Sequence, residues 1–313
     1  LNNRGYISEE TRKKVYDAME EINYYPNEIA RALLNNRTYF VGVIVPTVTS
    51  PFHGEVVEQI EYYLSQKNYK MLLCNSKNQM DTEKAYIDML RRNQVDGMIV
   101  GTHNAVVETY SKLKMPVVGI DRYLGEHIPV VSCDNYAAGQ MATRHLIDKG
   151  CQHILCIRGN SKLKMPGNNR SQAYIQEMEK VGLPQMILEV PFIMENVEKQ
   201  KLIYDMLNAH PEIDGIFAGD DSLAVIALHV ARQKGINIPK DLKIIGVDGT
   251  KQILGFVPEL TTIQQPVKQI AKVAVDKLID LIEKPKTAMR NITIVQGKLY
   301  EGQTVLKLDG SRG

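Results

Sequence analysis

From Tyr39 onward, short continuous apolar runs alternate with stretches whose apolar residues recur every three or four positions. The runs 40–45, 71–74, 97–100, 117–120, 154–157, 215–218 and 243–247 are too short for core helices and read as strands buried on both faces. A further strand is predicted near 187–190, and extended chain over 291–295 and 298–306. Between them, helical periodicity predicts helices over 52–66, 83–92, 137–148, 171–180, 198–208, 223–233 and 267–283, with a short one after residue 100. This alternation implies βαβ units and parallel sheets. Ten or so strands imply two doubly wound sheets rather than one, so the expected class is α/β.

The first 37 residues follow a different rule. Ser8 is placed to cap a helix whose first turn carries Glu9 and Glu10, favourable at the positive end of a helix dipole. Val15, Ala18, Met19 and Ile22 then form one apolar face. Tyr24-Tyr25-Pro26 stops that helix, because the residue before proline avoids the helical region. Asn27 is placed to cap a second helix over 28–34, only two turns long and marginal without a partner.

Composition narrows the class. The 313 residues are 44% hydrophobic and 24% charged, as in folded globular chains, and the length suggests about two domains. The net charge of +2 is uninformative about nucleic acid. Within 1–37 the signs balance, with cations gathered toward both ends, a weak pointer to a phosphate-facing edge. Cys74, Cys133, Cys151 and Cys156 form no CxxC and read as buried reduced thiols. No leader-like segment opens the chain, and no apolar run is long enough to span a membrane. The expected compartment is the cytoplasm.

No GxGxxG, GxxxxGK[ST], HExxH or GxSxG occurs, and the seven histidines are scattered. Enzyme chemistry, a resident cofactor and a metal are therefore not expected; binding is the better-supported class. The segments Leu1-Asn2-Asn3, 8–15 and 23–33, then Val43-Ile44-Val45-Pro46 with Ser50-Pro51-Phe52, Gly119-Ile120-Asp121, Asp134-Asn135, Asp220 to Ala224, Ile245 to Asp248, Leu260 to Ile263 and Gln265-Pro266 resemble the LacI/GalR repressor family. The resemblance runs over the whole chain, in the family's order.

That resemblance implies a helix-turn-helix DNA-binding headpiece, a hinge helix and a two-lobed core like that of periplasmic sugar-binding proteins. The chain is expected to start at the last turn of the recognition helix, leaving a truncated headpiece. The implied divisions are 1–38 for headpiece remnant and hinge, 39–134 with 266–293 for one lobe, and 135–265 with 294–313 for the other. Hinge and DNA contacts are implied for Asn27, Ala30, Arg31 and Leu33, with Leu33 wedged into a minor-groove base step. Asn2, Tyr6, Ser8 and Thr11 are implied as phosphate contacts. The effector positions carried over are Ser50, Phe52, His53, Asp121, Arg122, Asp134, Arg170, Asp220 and Asp248. The same residues have plain structural readings too: helix caps for Asp220 and Asp221, a turn at Asp248-Gly249, a salt bridge for Arg170 and a core position for Leu33. The implied effector is a sugar or sugar phosphate, the basic stretch 161–165 beside Arg170 leaving the phosphate open. The implied partners are double-stranded operator DNA and a second copy, a homodimer because no heptad extension follows the core. The competing expectation is a sugar-binding protein of a transport system, sharing the core but not the DNA-binding part.

Overall fold

The computed structural model describes residues 7–24, 37–92, 95–104, 107–163, 165–284 and 291–306. The chain divides into two units, 1–39 and 40–313. In the first, α1 (Glu9–Glu21) begins at Ser8, whose hydroxyl accepts the Thr11 amide at 3.2 Å. Its expected apolar face finds no cover among the described residues of this unit: Val15 is 40% and Ile22 71% exposed. The predicted helix over 28–34 lies outside the described residues, as do Asn2, Tyr6, Asn27, Ala30, Arg31 and Leu33.

The second unit holds two six-stranded sheets. The first-lobe elements are β1 (Phe40–Val45), α2 (Pro51–Ser65), β2 (Lys70–Asn75), α3 (Met80–Arg92), β3 (Gly97–Val100), α4 (Val107–Ser111), β4 (Val117–Ile120) and β5 (Val130–Cys133). The second lobe follows with α5 (Asn135–Asp148), β6 (Ile154–Arg158), α6 (Asn169–Val181), β7 (Met186–Glu189), α7 (Asn196–Ala209), β8 (Gly215–Ala218), α8 (Asp221–Gln233), β9 (Lys243–Asp248), α9 (Lys251–Phe256) and β10 (Thr261–Gln264). The chain then returns to the first lobe as α10 (Val267–Glu283) and β11 (Ile292–Val295), and ends its regular structure with β12 (Lys298–Tyr300) in the second.

The strand orders are β11-β5-β4-β3-β1-β2 and β12-β10-β9-β8-β6-β7, parallel throughout except for β12 against β10. Both sheets are therefore doubly wound, with helices on both faces. Val43, Ile60, Leu64, Ile270 and Leu278 are completely buried in one layer of the first lobe, and Ile44, Leu90 and Met98 in the other. Burying such a side chain is worth roughly 1.5–3 kcal/mol. In the second lobe, α7 and α8 pack on one face through Ile203, Ile226 and Val230, and α5 and α6 on the other through Ala142, Leu146 and Tyr174. Gly139 lets α5 and α6 touch: a Cβ there would lie 2.2 Å from the Arg170 carbonyl oxygen.

The sheet-to-sheet passages follow Cys133, Gln264 and Val295. The last corrects the expected division at 294. Ile294 and Val295 pair with Ser132 and Cys133, and the Asp134 amide donates to the Val295 carbonyl at 2.9 Å, so the first sheet keeps both residues. All four cysteines are buried and free. Among the described residues, no helix is long and apolar enough to cross a membrane.

Candidate functional site

The C-terminal ends of β1, β3 and β4 face those of β6, β8 and β9 across a cavity of about 550 Å³. Parallel strands bring this about, since each leaves its carboxyl end, and the loop after it, on the same edge of its sheet. Of the nine positions expected to bind an effector, seven line the cavity: Ser50, Phe52, His53, Asp121, Arg170, Asp220 and Asp248.

Arg122 and Asp134 do not line it. Asp121 has φ 48°, a left-handed turn that sends the next side chain away from the cleft. Arg122 is 2% exposed, donates to the Asn104 carbonyl, and serves a buried network centred on Glu83. Glu83 accepts from Thr102 Oγ1 at 2.9 Å, Asn104 Nδ2 at 2.6 Å and Tyr110 Oη at 2.6 Å. Asp134 caps α5 by accepting the Ala137 amide at 2.9 Å and takes Gln296 Nε2 at 2.9 Å. Its place at a lobe crossing is structural.

Three carboxylates remain in the cleft. Asp248 ends β9 at φ 129°, and Gly249 follows at φ 58°. Only glycine fits there, for a Cβ would lie 2.7 Å from Gln264 Cα. Asp248 Oδ1 accepts Gln265 Nε2 at 2.7 Å and lies 3.9 Å from Arg170 Nη1. Burial pushes the Asp248 carboxyl well above its ordinary range; Arg170 opposes this, and Asp221 and Asp220 add to it. Asp220 caps α8 through the Leu223 amide at 2.9 Å, and burial raises its pKa as well. Asp121 accepts from Ser132 Oγ, and from Asn135 Nδ2 at 3.1 Å, with its pKa likewise raised by burial. Arg170 is held by Asn135 Oδ1 at 2.6 Å and by the Gly219 carbonyl at 2.6 Å.

Behind this layer stands Asp221, 1% exposed, accepting Thr262 Oγ1 at 2.6 Å and the Gly249 amide at 2.7 Å. Sequence reasoning offered it only as a helix cap; the cap is Asp220, and Asp221 instead fixes the Asp248-Gly249 corner. Burial raises its pKa to about 7.

The opposite wall is aromatic. His53 and His103 of the first lobe meet edge to face with centroids 5.5 Å apart, and His103 meets Phe192 of the second lobe at 4.5 Å. Burial depresses the imidazoles, His53 to about 3 and His103 to about 4, so both are neutral near pH 7. His103, Phe192, Lys199 and Gln265 line the cleft although only Gln265 fell within a recognised motif. Another inter-lobe link joins Glu55 Oε2 to the Lys251 amide at 2.9 Å. Among the described residues no His, Cys, Asp or Glu cluster could hold a metal ion. The set offers hydrogen-bond acceptors on one side and apolar ring surface on the other, which suits a small ligand rich in hydroxyls and C–H faces.

Two lobes, each a doubly wound parallel sheet, joined by three passages over a cleft with an acidic and an aromatic wall, define a binding protein of the periplasmic-receptor type. Residues 38–302 match the family described as periplasmic binding proteins and sugar binding domain of the LacI family, and residues 1–27 match the bacterial regulatory proteins of the lacI family. The chain belongs to the LacI family of bacterial regulators. It is 38% identical over 304 residues to a sucrose operon repressor of Pediococcus pentosaceus, covering 97% of this chain and 93% of that protein. It is 36% identical over 284 residues to a ribose operon repressor of Halalkalibacterium halodurans, covering 91% and 85%. A solved periplasmic binding protein/LacI transcriptional regulator from Alkaliphilus metalliredigens QYMF, complexed with D-xylulofuranose, superposes with a TM-score of 0.78 at 28% identity, covering 86% of this chain and 99% of that one.

Proposed function

We propose that this chain is a cytoplasmic repressor of a carbohydrate-utilisation operon, a binding protein rather than an enzyme, whose grip on operator DNA is set by a sugar held between its lobes. The carrying observation is the cleft itself: Asp121, Asp220 and Asp248, with Arg170, converge at the strand ends of a chain whose residues 1–27 match a DNA-binding family. The sugar operon repressors among its relatives support the same reading. The carboxylates accept sugar hydroxyls, and Phe52 and Phe192 flank the ring.

DNA contact falls to Asn2, Tyr6, Asn27, Ala30, Arg31 and Leu33, the two copies of a homodimer meeting over a palindromic site with each Leu33 in the minor groove. Sugar and DNA affinities are then linked reciprocally. The test is electrophoretic retention of palindromic operator fragments, with and without sugar. Asp248→Ala is expected to retain DNA but lose the sugar response; Leu33→Ala is expected to lose specific DNA binding by a few kcal/mol and keep sugar affinity. A dimer showing no salt-dependent, sequence-selective DNA binding, or the reverse pattern in the two variants, refutes the proposal.

A further inference from the structure

A cleft that holds a sugar must still choose between the sugar and its phosphate ester, and the two demand opposite charge. A phosphate monoester carries between one and a half and two negative charges near pH 7 and only accepts hydrogen bonds. It needs uncommitted cations. A neutral sugar needs acceptors for its hydroxyl protons.

Among the described residues, the cations lining the cleft are Arg158, Arg170 and Lys199. Each has at least one protein acceptor, although the buried Nε of Arg158 has none. Arg158 donates to Glu189 Oε1 at 2.9 Å and to Ser171 Oγ at 3.3 Å. Arg170 donates to Asn135 and Gly219 and faces Asp248. The ammonium of Lys199 reaches the Phe192 carbonyl at 3.5 Å, and its charge acts on Asp220. The histidines add no charge, being neutral through burial.

The carboxylates are less well answered. Among the described residues no hydrogen-bond donor reaches Oδ2 of Asp248, while Asp220 in the cleft and Asp221 behind it act against its charged form. Among the described residues of the basic stretch after β6, no cation redresses the balance. Asn168 Nδ2 donates to the carbonyls of Asn160, Ser161 and Leu163 and folds that loop onto itself. In that fold Leu163 and Met165 line the cavity, whereas Lys162 is exposed and does not.

We infer that the cleft selects an uncharged, unphosphorylated saccharide and rejects its phosphate ester, because three carboxylates face the cleft while each lining cation already has a protein acceptor. This deepens the sugar reading above and rests on it. Calorimetric titration of the full chain with D-ribose, D-fructose, D-glucose and sucrose, and with ribose 5-phosphate, fructose 6-phosphate, glucose 6-phosphate and sucrose 6-phosphate, tests it. The expected result is that a neutral sugar binds and its ester binds at least a hundredfold more weakly. An ester that binds as tightly as its parent, or more tightly, overturns the selectivity and leaves the sugar reading standing. Binding by none of the eight compounds removes both. Asp220→Asn supplies an independent arm: asparagine still caps α8, so the fold is kept while one negative charge leaves. The ester-to-parent affinity ratio is expected to rise about tenfold; an unchanged ratio overturns the electrostatic explanation.

Discussion

Replacing Gly246 by alanine probes the layer behind the cleft. Gly246 lies in β9, and a Cβ there would sit 2.2 Å from Asp221 Oδ1 and 3.1 Å from Ala224 Cβ. The carboxylate would have to move, or α8 would have to lift off the sheet. Moving it breaks the bonds from Thr262 Oγ1 and the Gly249 amide, each worth about 1–3 kcal/mol when buried. Lifting α8 costs a similar amount in packing, about 1–3 kcal/mol. The expected loss is about 3 kcal/mol, against a total stability of roughly 5–15 kcal/mol. Urea unfolding followed by far-ultraviolet circular dichroism measures it, with sugar titration alongside, because the Gly249 amide sets the corner that presents Asp248. Gly255→Ala in α9 is the control: apart from its own helix backbone and chain neighbours nothing lies within 4 Å of its added Cβ, so it is expected to be neutral or stabilising by up to about 1 kcal/mol. A Gly246→Ala protein that unfolds at the parent's midpoint and binds sugar unchanged would refute the reasoning.

Three further outcomes are expected. Gly139→Ala should destabilise the second lobe by about 1–3 kcal/mol in the same assay, since the new methyl meets the Arg170 carbonyl; it should also weaken sugar binding by displacing that arginine. Glu83→Ala should cost about 3–5 kcal/mol by leaving buried Arg122 uncompensated, with Glu83→Gln milder because it keeps an acceptor for Tyr110 and Thr102. The third outcome concerns pH. Burial lowers the folded-state pKa of His53 to about 3 and of His103 to about 4, from 6.5. The unfolded chain therefore binds these protons first. Their contribution is complete above pH 6.5 and is lost as pH falls toward 4, at roughly 1.4 kcal/mol per pH unit for each. Asp121, Asp220 and Asp248 titrate in the opposite sense, their pKa values being raised. The difference between the parent and a His53→Phe, His103→Phe double variant cancels them. Between pH 7 and 5 the parent should lose a few kcal/mol relative to the variant, measured by urea midpoints; a constant difference would contradict the buried-imidazole account.

The parts of the fold legible in the sequence were those with a local signature. The apolar runs of β1, β3, β4 and β8 stand out against polar flanks, and α10 repeats its apolar positions over nearly five turns, so its predicted bounds of 267–283 coincide with the observed ones. β5 and β10 were not singled out. Val130–Cys133 and Thr261–Gln264 are four residues each and carry Ser132, Thr261 and Thr262 in buried positions, so only pairing with distant strands marks them. The cleft divides the same way. Asp121, Asp220 and Asp248 follow apolar runs and could be placed at strand ends. His103 and Phe192 could not, because what makes them a wall is a contact between lobes 89 residues apart in sequence. Arg122 was misplaced by one residue's turn: at the positive φ of Asp121, only the first of two adjacent charged side chains lines the cleft.

The three passages between the sheets run close together, and a Cβ on Gly297 would lie 3.0 Å from the Gln264 carbonyl oxygen and 3.3 Å from Cys133 Sγ. Three backbones bound side by side act as the spine of a book. The covers can swing about that line but cannot slide or twist freely. No single cut in the chain releases either half, which makes this unit one mechanical part despite its two cores.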